Sequence, residues 1–124
     1  MAVFYYTDLD VWEKSMELAV DVYKTVKLLP KEELYALSDQ MRRAVLSISS
    51  NIAEGQQRNS TKEFVHFLFI AKGSLSELET QIILCEKLDY LEKSITDKLL
   101  AECSEIGKML NGLLNRLNNK LKER

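Results

Sequence analysis

The side chains best suited to chemistry lie in the run Ser47–Gly55, which has the sequence Ser-Ile-Ser-Ser-Asn-Ile-Ala-Glu-Gly. Asn51 and Glu54 are three positions apart, so they share a face if the run is helical. An amide beside a carboxylate can bind a small ligand, or it can fix the packing and register of two helices. The second interpretation predicts a structural polar network of Asn51, Glu54, Ser74 and Glu77. The contact between Asn51 and the last two could require a second subunit.

The other chemically capable residues do not form a recognisable catalytic or metal motif. Glu63 and His66 have the Glu-x-x-His spacing of di-iron bundles, which need this motif on two helices. His66 is the one histidine of the chain, so the motif cannot be repeated. Cys85 and Cys103 lack metal-type spacing and fall on apolar helical positions, which is typical of reduced core cysteines. We therefore expect no catalytic residue, no metal, no cofactor and no enzymatic activity.

Basic residues are a further group of candidates, for contacts with nucleic-acid phosphates. They are Arg42, Arg43, Arg58, Lys62, Arg116, Lys120 and Lys122. The alternative is that they are solvated or complement helix dipoles. A net charge of −2 excludes the wholly basic surface of a general nucleic-acid binder. Residues 77–105 carry eight acids against three lysines, which favours a protein-interaction role with a basic partner.

Four amphipathic helices must position these groups. Apolar residues recur at steps of three and four and predict helices at about residues 9–29, 31–57, 60–90 and 95–120. Pro30 ends the first helix, and capping boxes at Ser60–Glu63 and Ser94–Asp97 start the third and fourth. Because the loops are short, we expect an all-α, antiparallel up-down-up-down four-helix bundle in a single domain, residues 1–124. The apolar stripe predicted for the first helix is Trp12, Met16, Ala19, Tyr23 and Val26.

The third predicted helix is apolar on more than one face. The residues away from its main stripe are Phe67, Phe69, Ile70, Ile83 and Leu84. A helix that is apolar on several faces is usually buried on several faces, so these residues predict a homo-oligomer interface. The alternative is a wide core stripe with scattered exposed residues.

The start of the chain, residues 1–8, has neither a basic region nor a long apolar stretch. No segment approaches the roughly 18 apolar residues of a membrane span. We therefore expect a cytoplasmic protein that does not contact membranes.

Several motifs together resemble those of a known family. They are Gln40–Ala44, Ser47–Gly55, Arg58, Glu63-Phe64, Ala71–Leu75 and Glu77–Glu79, preceded by Leu9–Trp12. From about residue 9 to 118 the chain resembles the bacterial four-helix-bundle family named after 23S rRNA intervening sequences. The accessory protein of diversity-generating retroelements is similar to the same family. The resemblance implies a ring-like pentamer without known enzymatic activity and, by analogy with the retroelement protein, contact with nucleic acid.

The predicted function is that of a non-enzymatic homo-oligomeric scaffold, pentameric by resemblance, that contacts rRNA or other RNA or DNA. Two alternatives stay open. One is a protein–protein interaction module that binds no nucleic acid. The other is a small-ligand binder that uses Asn51 and Glu54.

Overall fold

Helices account for almost all of the regular structure in the computed structural model, which describes residues 5–123. The helices are α1 (Asp10–Thr25), α2 (Leu37–Gln56), α3 (Thr61–Lys87) and α4 (Lys93–Lys122). Short 3-10 turns lie at Tyr6–Asp8, Val26–Leu28 and Lys31–Glu33, and the described residues contain no strand. The all-α prediction is confirmed. Residues 1–4, part of the segment considered for targeting, lie outside the described residues.

Contacts at two levels show that α2 and α3 run in opposite directions. The Cys85 thiol donates to the Met41 sulfur at 3.7 Å, and the Ser47 and Ser74 hydroxyl oxygens are 2.7 Å apart. From the first contact to the second, the residue number therefore rises on α2, from 41 to 47, and falls on α3, from 85 to 74.

The same antiparallel relation holds between α3 and α4. The Thr96 hydroxyl donates to Glu86 at 2.7 Å near one end of the pair, and Gly107 faces Leu75 further along. For α1 and α4, Lys14 lies 3.6 Å from Glu105, whereas residues 21–28 lie beside residues 94–99. These pairs establish the up-down-up-down order.

Each helix contributes to one shared core. Leu18, Ile48, Leu78 and Leu110, one from each helix, are fully buried. In a bundle of this kind every helix packs on two neighbours: α1 and α3 each contact α2 and α4, and within residues 5–123 no Cα atom of α1 lies within 8 Å of a Cα atom of α3. Thus α1 and α3 occupy opposite corners of the bundle. None of the helices in the described range is long and apolar enough to cross a membrane.

Both cysteines belong to this core, as predicted. Cys85 and Cys103 are buried and free. Burial raises the pKa of the Cys85 thiol to about 11 and that of Cys103 to about 12. Because the thiolate is the reactive form, both side chains are expected to be inert at neutral pH.

The start of α2 differs from the prediction. It begins at Leu37 rather than at residue 31, because Ala36 has φ −122° and ψ −102°, outside helical geometry. The Glu33 carboxylate accepts hydrogen bonds from the Tyr90 hydroxyl at 2.8 Å and from the Leu37 amide at 3.5 Å. The contact with Tyr90 is a tertiary one, and it keeps the turn before Leu37 separate from the helix. Leu34, which would continue the α2 core stripe, is instead 45% exposed.

One predicted capping box forms and the other does not. At the start of α3 the Glu63 amide donates to Ser60 Oγ at 3.1 Å, and the Ser60 hydroxyl lies 3.3 Å from the Glu63 carboxylate. By contrast, α4 begins one residue before Ser94, and its cap has no side-chain hydrogen bond. Asp97, the acid of the predicted box, instead accepts from Lys93 Nζ at 3.0 Å.

Candidate functional site

Two of the four residues of the predicted polar network, Asn51 and Ser74, take part in hydrogen bonds that join α2 to α3. Asn51 Nδ2 donates to the Ser47 carbonyl at 2.7 Å and to its hydroxyl oxygen at 3.0 Å. Ser47 Oγ in turn lies 2.7 Å from Ser74 Oγ. Ser74 and Asn51 are thus linked through Ser47 within one chain, whereas a second subunit was considered for a direct contact between them. Ser74 is level with Ser47, one turn from Asn51, and Ser47 was missing from the predicted set.

The two carboxylates of the predicted network lie apart from it. The Arg58 guanidinium donates to Glu54 at 2.6 Å in an exposed pair, and Glu77 is exposed on α3. The Arg58 guanidinium also stands 4.7 Å from the centre of the Phe67 ring, a cation–π arrangement. Glu54 therefore serves the α2–α3 corner rather than a site shared with Asn51.

Gly55 allows the end of α2 to approach the start of α3 closely. A Cβ atom at this position would lie 2.6 Å from Phe67 Cβ and 3.1 Å from Phe64 Cδ1. The first distance is far shorter than van der Waals contact and the second is slightly shorter, so only glycine fits without movement. Phe67, one of the predicted interface residues, is half-buried against this glycine within its own chain.

The other four predicted interface residues form an interrupted stripe on α3, which we call the α3 face. Its two apolar pairs are separated by exposed polar residues, namely Lys72, Ser76, Glu77 and Thr80. Phe69 is 51% exposed, Ile70 39%, and Ile83 and Leu84 42% each. At 1.5 Å per residue the stripe is about 22 Å long. Gly73 lies between its two halves, and no atom comes within 4 Å of where its Cβ would be. Gly73 thus does not serve helix packing inside the chain.

Arg42 and Arg43 lie near the start of α2 and are engaged there. Arg43 Nε donates to Asp39 at 2.9 Å, while Arg42 Nη2 lies 3.6 Å from Asp39 and donates to the Leu34 carbonyl at 3.1 Å. The hydrogen bond from Arg43 lowers the pKa of the Asp39 carboxyl, and the charges of both arginines assist. This local pairing makes both arginines weaker candidates for phosphate contacts.

The remaining predicted basic residues gather at the opposite end of the bundle. The end of α2, the start of α3 and the end of α4 meet there, and the α3–α4 register places Lys62 level with Lys120. We call this group the basic end: Arg58, Lys62, Arg116, Lys120 and Lys122. Among the described residues only Arg58 of this group has an ion pair within 4 Å.

A second apolar surface was missed in the sequence. It is a groove of about 430 Å³ between α1 and α2, lined by Met16, Ala19, Val20, Tyr23, Lys24, Lys27 and Leu46, and we call it the α1–α2 groove. The predicted α1 stripe was partly wrong, because Met16 and Tyr23 are 37% and 39% exposed. Leu18 and Val22 are buried in their place, so α1 is apolar on two faces. The second apolar face of α1 is the feature of the sequence that could have revealed the groove.

A pair of acids lies at the α1–α4 seam, away from every predicted site. The Oε2 atom of half-buried Glu102 is enclosed and has no hydrogen-bond partner among the described residues. Burial, followed by the nearby Asp21 carboxyl, raises the pKa of Glu102 to about 7, while Lys98 opposes the shift. Two ionised carboxylates can only accept hydrogen bonds, whereas a protonated Glu102 can donate one to Asp21.

Comparison with known proteins identifies the fold and its relatives. The family model for the 23S rRNA-intervening sequence protein matches residues 7–112. A similar solved structure is that of a protein of unknown function from the S23 ribosomal protein family of Bacteroides thetaiotaomicron. It is 29% identical with a TM-score of 0.79, over 85% of this chain and 95% of that chain. No curated protein matches. The match over most of the chain confirms the resemblance seen in its motifs, and the chain belongs to the 23S rRNA-intervening sequence protein family.

Proposed function

We propose that this chain is a non-enzymatic helical scaffold that assembles with copies of itself through the α3 face. The observation that supports this most directly is the exposure of four large apolar side chains on a helix that already buries its opposite side. A bundle helix normally keeps one face in water, and clustered exposed apolar residues mark interaction sites. Complete burial of a fully exposed side chain of this size contributes about 1.5–3 kcal/mol, and since these four are already about half buried, each would contribute about half of that.

The groups first considered for chemistry support a structural role. Asn51 donates a hydrogen bond to Ser47, and Glu54 forms an ion pair with Arg58. Both side chains therefore already have polar partners close by in the same chain. Gly55 serves close helix packing. These contacts favour a scaffold over the small-ligand binder. A ring of five, which the family resemblance implies, would have five times the 14.3 kDa mass of one chain.

Replacing Phe69 and Leu84 together with glutamate is expected to reduce the assembly to a species of 14.3 kDa. Both side chains are exposed in the subunit, so the fold tolerates the change, whereas two carboxylates buried in an apolar interface would cost several kcal/mol. Size-exclusion chromatography with light scattering gives the masses. Ala101→Glu adds a charge at an exposed position of α4 and is expected to leave the mass unchanged. A monomeric wild-type protein would refute self-association.

We propose, as a second function, that the basic end contacts nucleic-acid phosphates, preferably in structured RNA. The supporting observation is that the antiparallel fold places Lys62 of α3 at the same end as three basic residues of α4, Arg116, Lys120 and Lys122. Arg58 of the α2–α3 turn lies there as well, paired with Glu54. Repetition of this end around a ring would multiply a modest affinity. The alternative of a scaffold without nucleic-acid binding is decided by the same experiment.

Lys120→Glu/Lys122→Glu is expected to weaken RNA binding at least tenfold in gel shifts at low salt, because two phosphate contacts become repulsive. The matched control is Arg42→Glu/Arg43→Glu, which makes the same charge change at the opposite end and should bind nearly as well as wild type. Equal losses in both variants would indicate a general charge effect. Failure of the wild-type protein to bind any RNA or DNA would eliminate this second function.

A further inference from the structure

A cavity between α1 and α4 brings opposite charges together without pairing them. It has a volume of about 540 Å³ and lies between the turn that leads into α1 and the second half of α4, and we call it the α1–α4 cavity. Asp8 and Asp10 line it from the α1 side, and Lys108 and Arg116 line it from α4. Within residues 5–123 no ion pair within 4 Å involves any of these four side chains. The space between the acids and the bases is therefore open to a ligand.

Gly112 shapes the α4 wall of this cavity. It lies one helical turn after Lys108 and one turn before Arg116, so the three residues follow one row along the helix. A Cβ atom at position 112 would lie 3.8 Å from Arg116 Nη1, which places the Arg116 guanidinium above the glycine. Because position 112 has no side chain, both cations border the same open space.

Apolar side chains form the rest of the lining, namely Leu9, Val11, Met109 and Leu113. Surfaces of this kind hold the flat face of a nucleobase in proteins that bind one outside the stack. The volume also falls within the range of about 300–1,000 Å³ that is usual for small-molecule sites. The lining therefore suits a ligand that combines a flat ring system, hydrogen-bond donors and an anionic group.

The two carboxylates select among the bases, because an ionised carboxylate only accepts hydrogen bonds. Asp8 Oδ2 accepts the Tyr5 amide at 3.3 Å, so Asp8 Oδ1 and the Asp10 carboxylate remain for a ligand. Guanine presents two adjacent donors, N1–H and the N2 amino group, on its Watson–Crick edge. Adenine and cytosine each place one amino group beside an acceptor nitrogen. Groups that only accept therefore favour guanine over the other bases.

The cations continue from the cavity to the basic end. Arg116 belongs to both, and Lys120 follows it by one turn of α4. At 1.5 Å per residue, Lys108 and Lys120 are about 18 Å apart along the helix. Guanidinium and ammonium groups bind phosphates through charge-assisted hydrogen bonds. A strand whose base enters the cavity can therefore place successive phosphates along this row.

We propose that the α1–α4 cavity holds an unpaired guanine nucleotide of an RNA strand. The base edge contacts Asp8 and Asp10, and the phosphates contact Lys108 and Arg116. This inference rests on the phosphate contact proposed for the basic end, and it adds the nucleotide that is recognised. Unpaired RNA is suited to such a site because its bases can be splayed out and bound on their Watson–Crick edges.

Short RNAs that differ at one base test the inference. The probes are a fluorescent oligouridine and the same strand with guanosine, inosine or adenosine at its centre. In fluorescence anisotropy at low salt, the guanosine strand is expected to bind at least tenfold more tightly than oligouridine or the adenosine strand. Inosine lacks the N2 amino group and is expected to lose most of this gain. Equal binding of all strands would overturn this inference alone, whereas no binding of any strand would also remove the contact proposed for the basic end.

Two variants test whether the preference arises in the cavity. Asp8→Asn/Asp10→Asn introduces amides, which pair well with adenine, and is expected to abolish the guanosine preference in favour of the adenosine strand. Gly112→Leu fills the cavity, retains all four charges and is expected to reduce the preference at least tenfold. The control Glu32→Gln/Glu77→Gln removes the same charge at exposed positions outside the cavity lining and should bind like wild type. Circular dichroism checks the fold. A guanosine preference that survives in both cavity variants would overturn the assignment.

Guanosine monophosphate distinguishes an RNA strand from a free nucleotide as the source of the ligand. It is expected to bind at least tenfold more weakly than the guanosine strand, because it lacks the further phosphates that reach Lys120. Competition against the fluorescent guanosine strand measures this ratio. Displacement by the mononucleotide at concentrations close to the dissociation constant of the strand would overturn the assignment to RNA.

Discussion

Gly55→Ala is expected to lower the free energy of unfolding by about 1–3 kcal/mol, the usual cost of overpacking a close contact. The new methyl group would lie 2.6 Å from Phe67 Cβ and 3.3 Å from the Phe64 carbonyl oxygen. These atoms are anchored to the backbone of α3, so the two helices must separate to relieve the clash. The loss should appear even though alanine is intrinsically the better helix former by about 1 kcal/mol.

Gly112→Ala is the matched control for this prediction. Its Cβ would meet only Arg116 Nη1, at 3.8 Å, which is ordinary contact with the end of a flexible side chain. We expect this variant to be about 0.5–1 kcal/mol more stable, from helix propensity alone. Urea unfolding followed by circular dichroism measures both, in the Phe69→Glu/Leu84→Glu background so that assembly does not contribute. A neutral or stabilising Gly55→Ala would mean that the helices readily yield at this corner.

Glu102 is expected to make the protein less stable as the pH rises. Its folded-state pKa of about 7 exceeds the ordinary value of 4.5, so the folded chain retains a proton that the unfolded chain releases. Between these two values the unfolded state binds fewer protons, and the free energy of unfolding therefore falls with pH. A full shift of this size is worth a few kcal/mol, and solvent screening at this half-buried site reduces the expected loss to about 1–2 kcal/mol.

Glu102→Gln tests this directly, since its amide can donate to Asp21 at any pH. The variant is expected to be more stable than wild type at pH 8 and to lose that advantage near pH 5. Besides burial, the Asp21 and Glu17 carboxylates raise the pKa of Glu102, and Lys98 opposes them. Glu105→Gln, in the exposed pair with Lys14, provides a control that should show little pH dependence relative to wild type. Parallel stability profiles for Glu102→Gln and wild type would contradict the assignment.

The helical order could be predicted from sequence because it depends on local signals. The α3 stripe has the spacing of a helix face, and Ser60 with Glu63 provides a start signal that needs no tertiary partner. The start of α2 depends on Glu33 meeting Tyr90, which is far away in sequence. Such a contact exists only in the folded bundle. The spacing of apolar residues alone therefore predicted that the helix starts at residue 31.

The candidate site was only partly predictable for a related reason. Asn51 and Ser74 were recognised as polar residues in an apolar pattern. Ser47, which joins them, cannot be told from an ordinary surface serine in the sequence. The α1–α2 groove escaped because α1 has apolar residues on two faces and the sequence does not say which of them is buried. Met16 and Tyr23 were assigned to the core, which is instead formed by Leu18 and Val22.

The position of the α1–α4 seam has a consequence for the folding kinetics. Along the described chain, α2, α3 and α4 each pack on the helix before them in sequence. The contact between α1 and α4, by contrast, joins residues that are separated by most of the sequence. Long-range contacts of this kind close slowly and tend to form late. Interactions absent from the transition state affect mainly the unfolding rate. Deprotonation of Glu102, which lies in this seam, should therefore shorten the lifetime of the folded state while leaving the folding rate nearly unchanged.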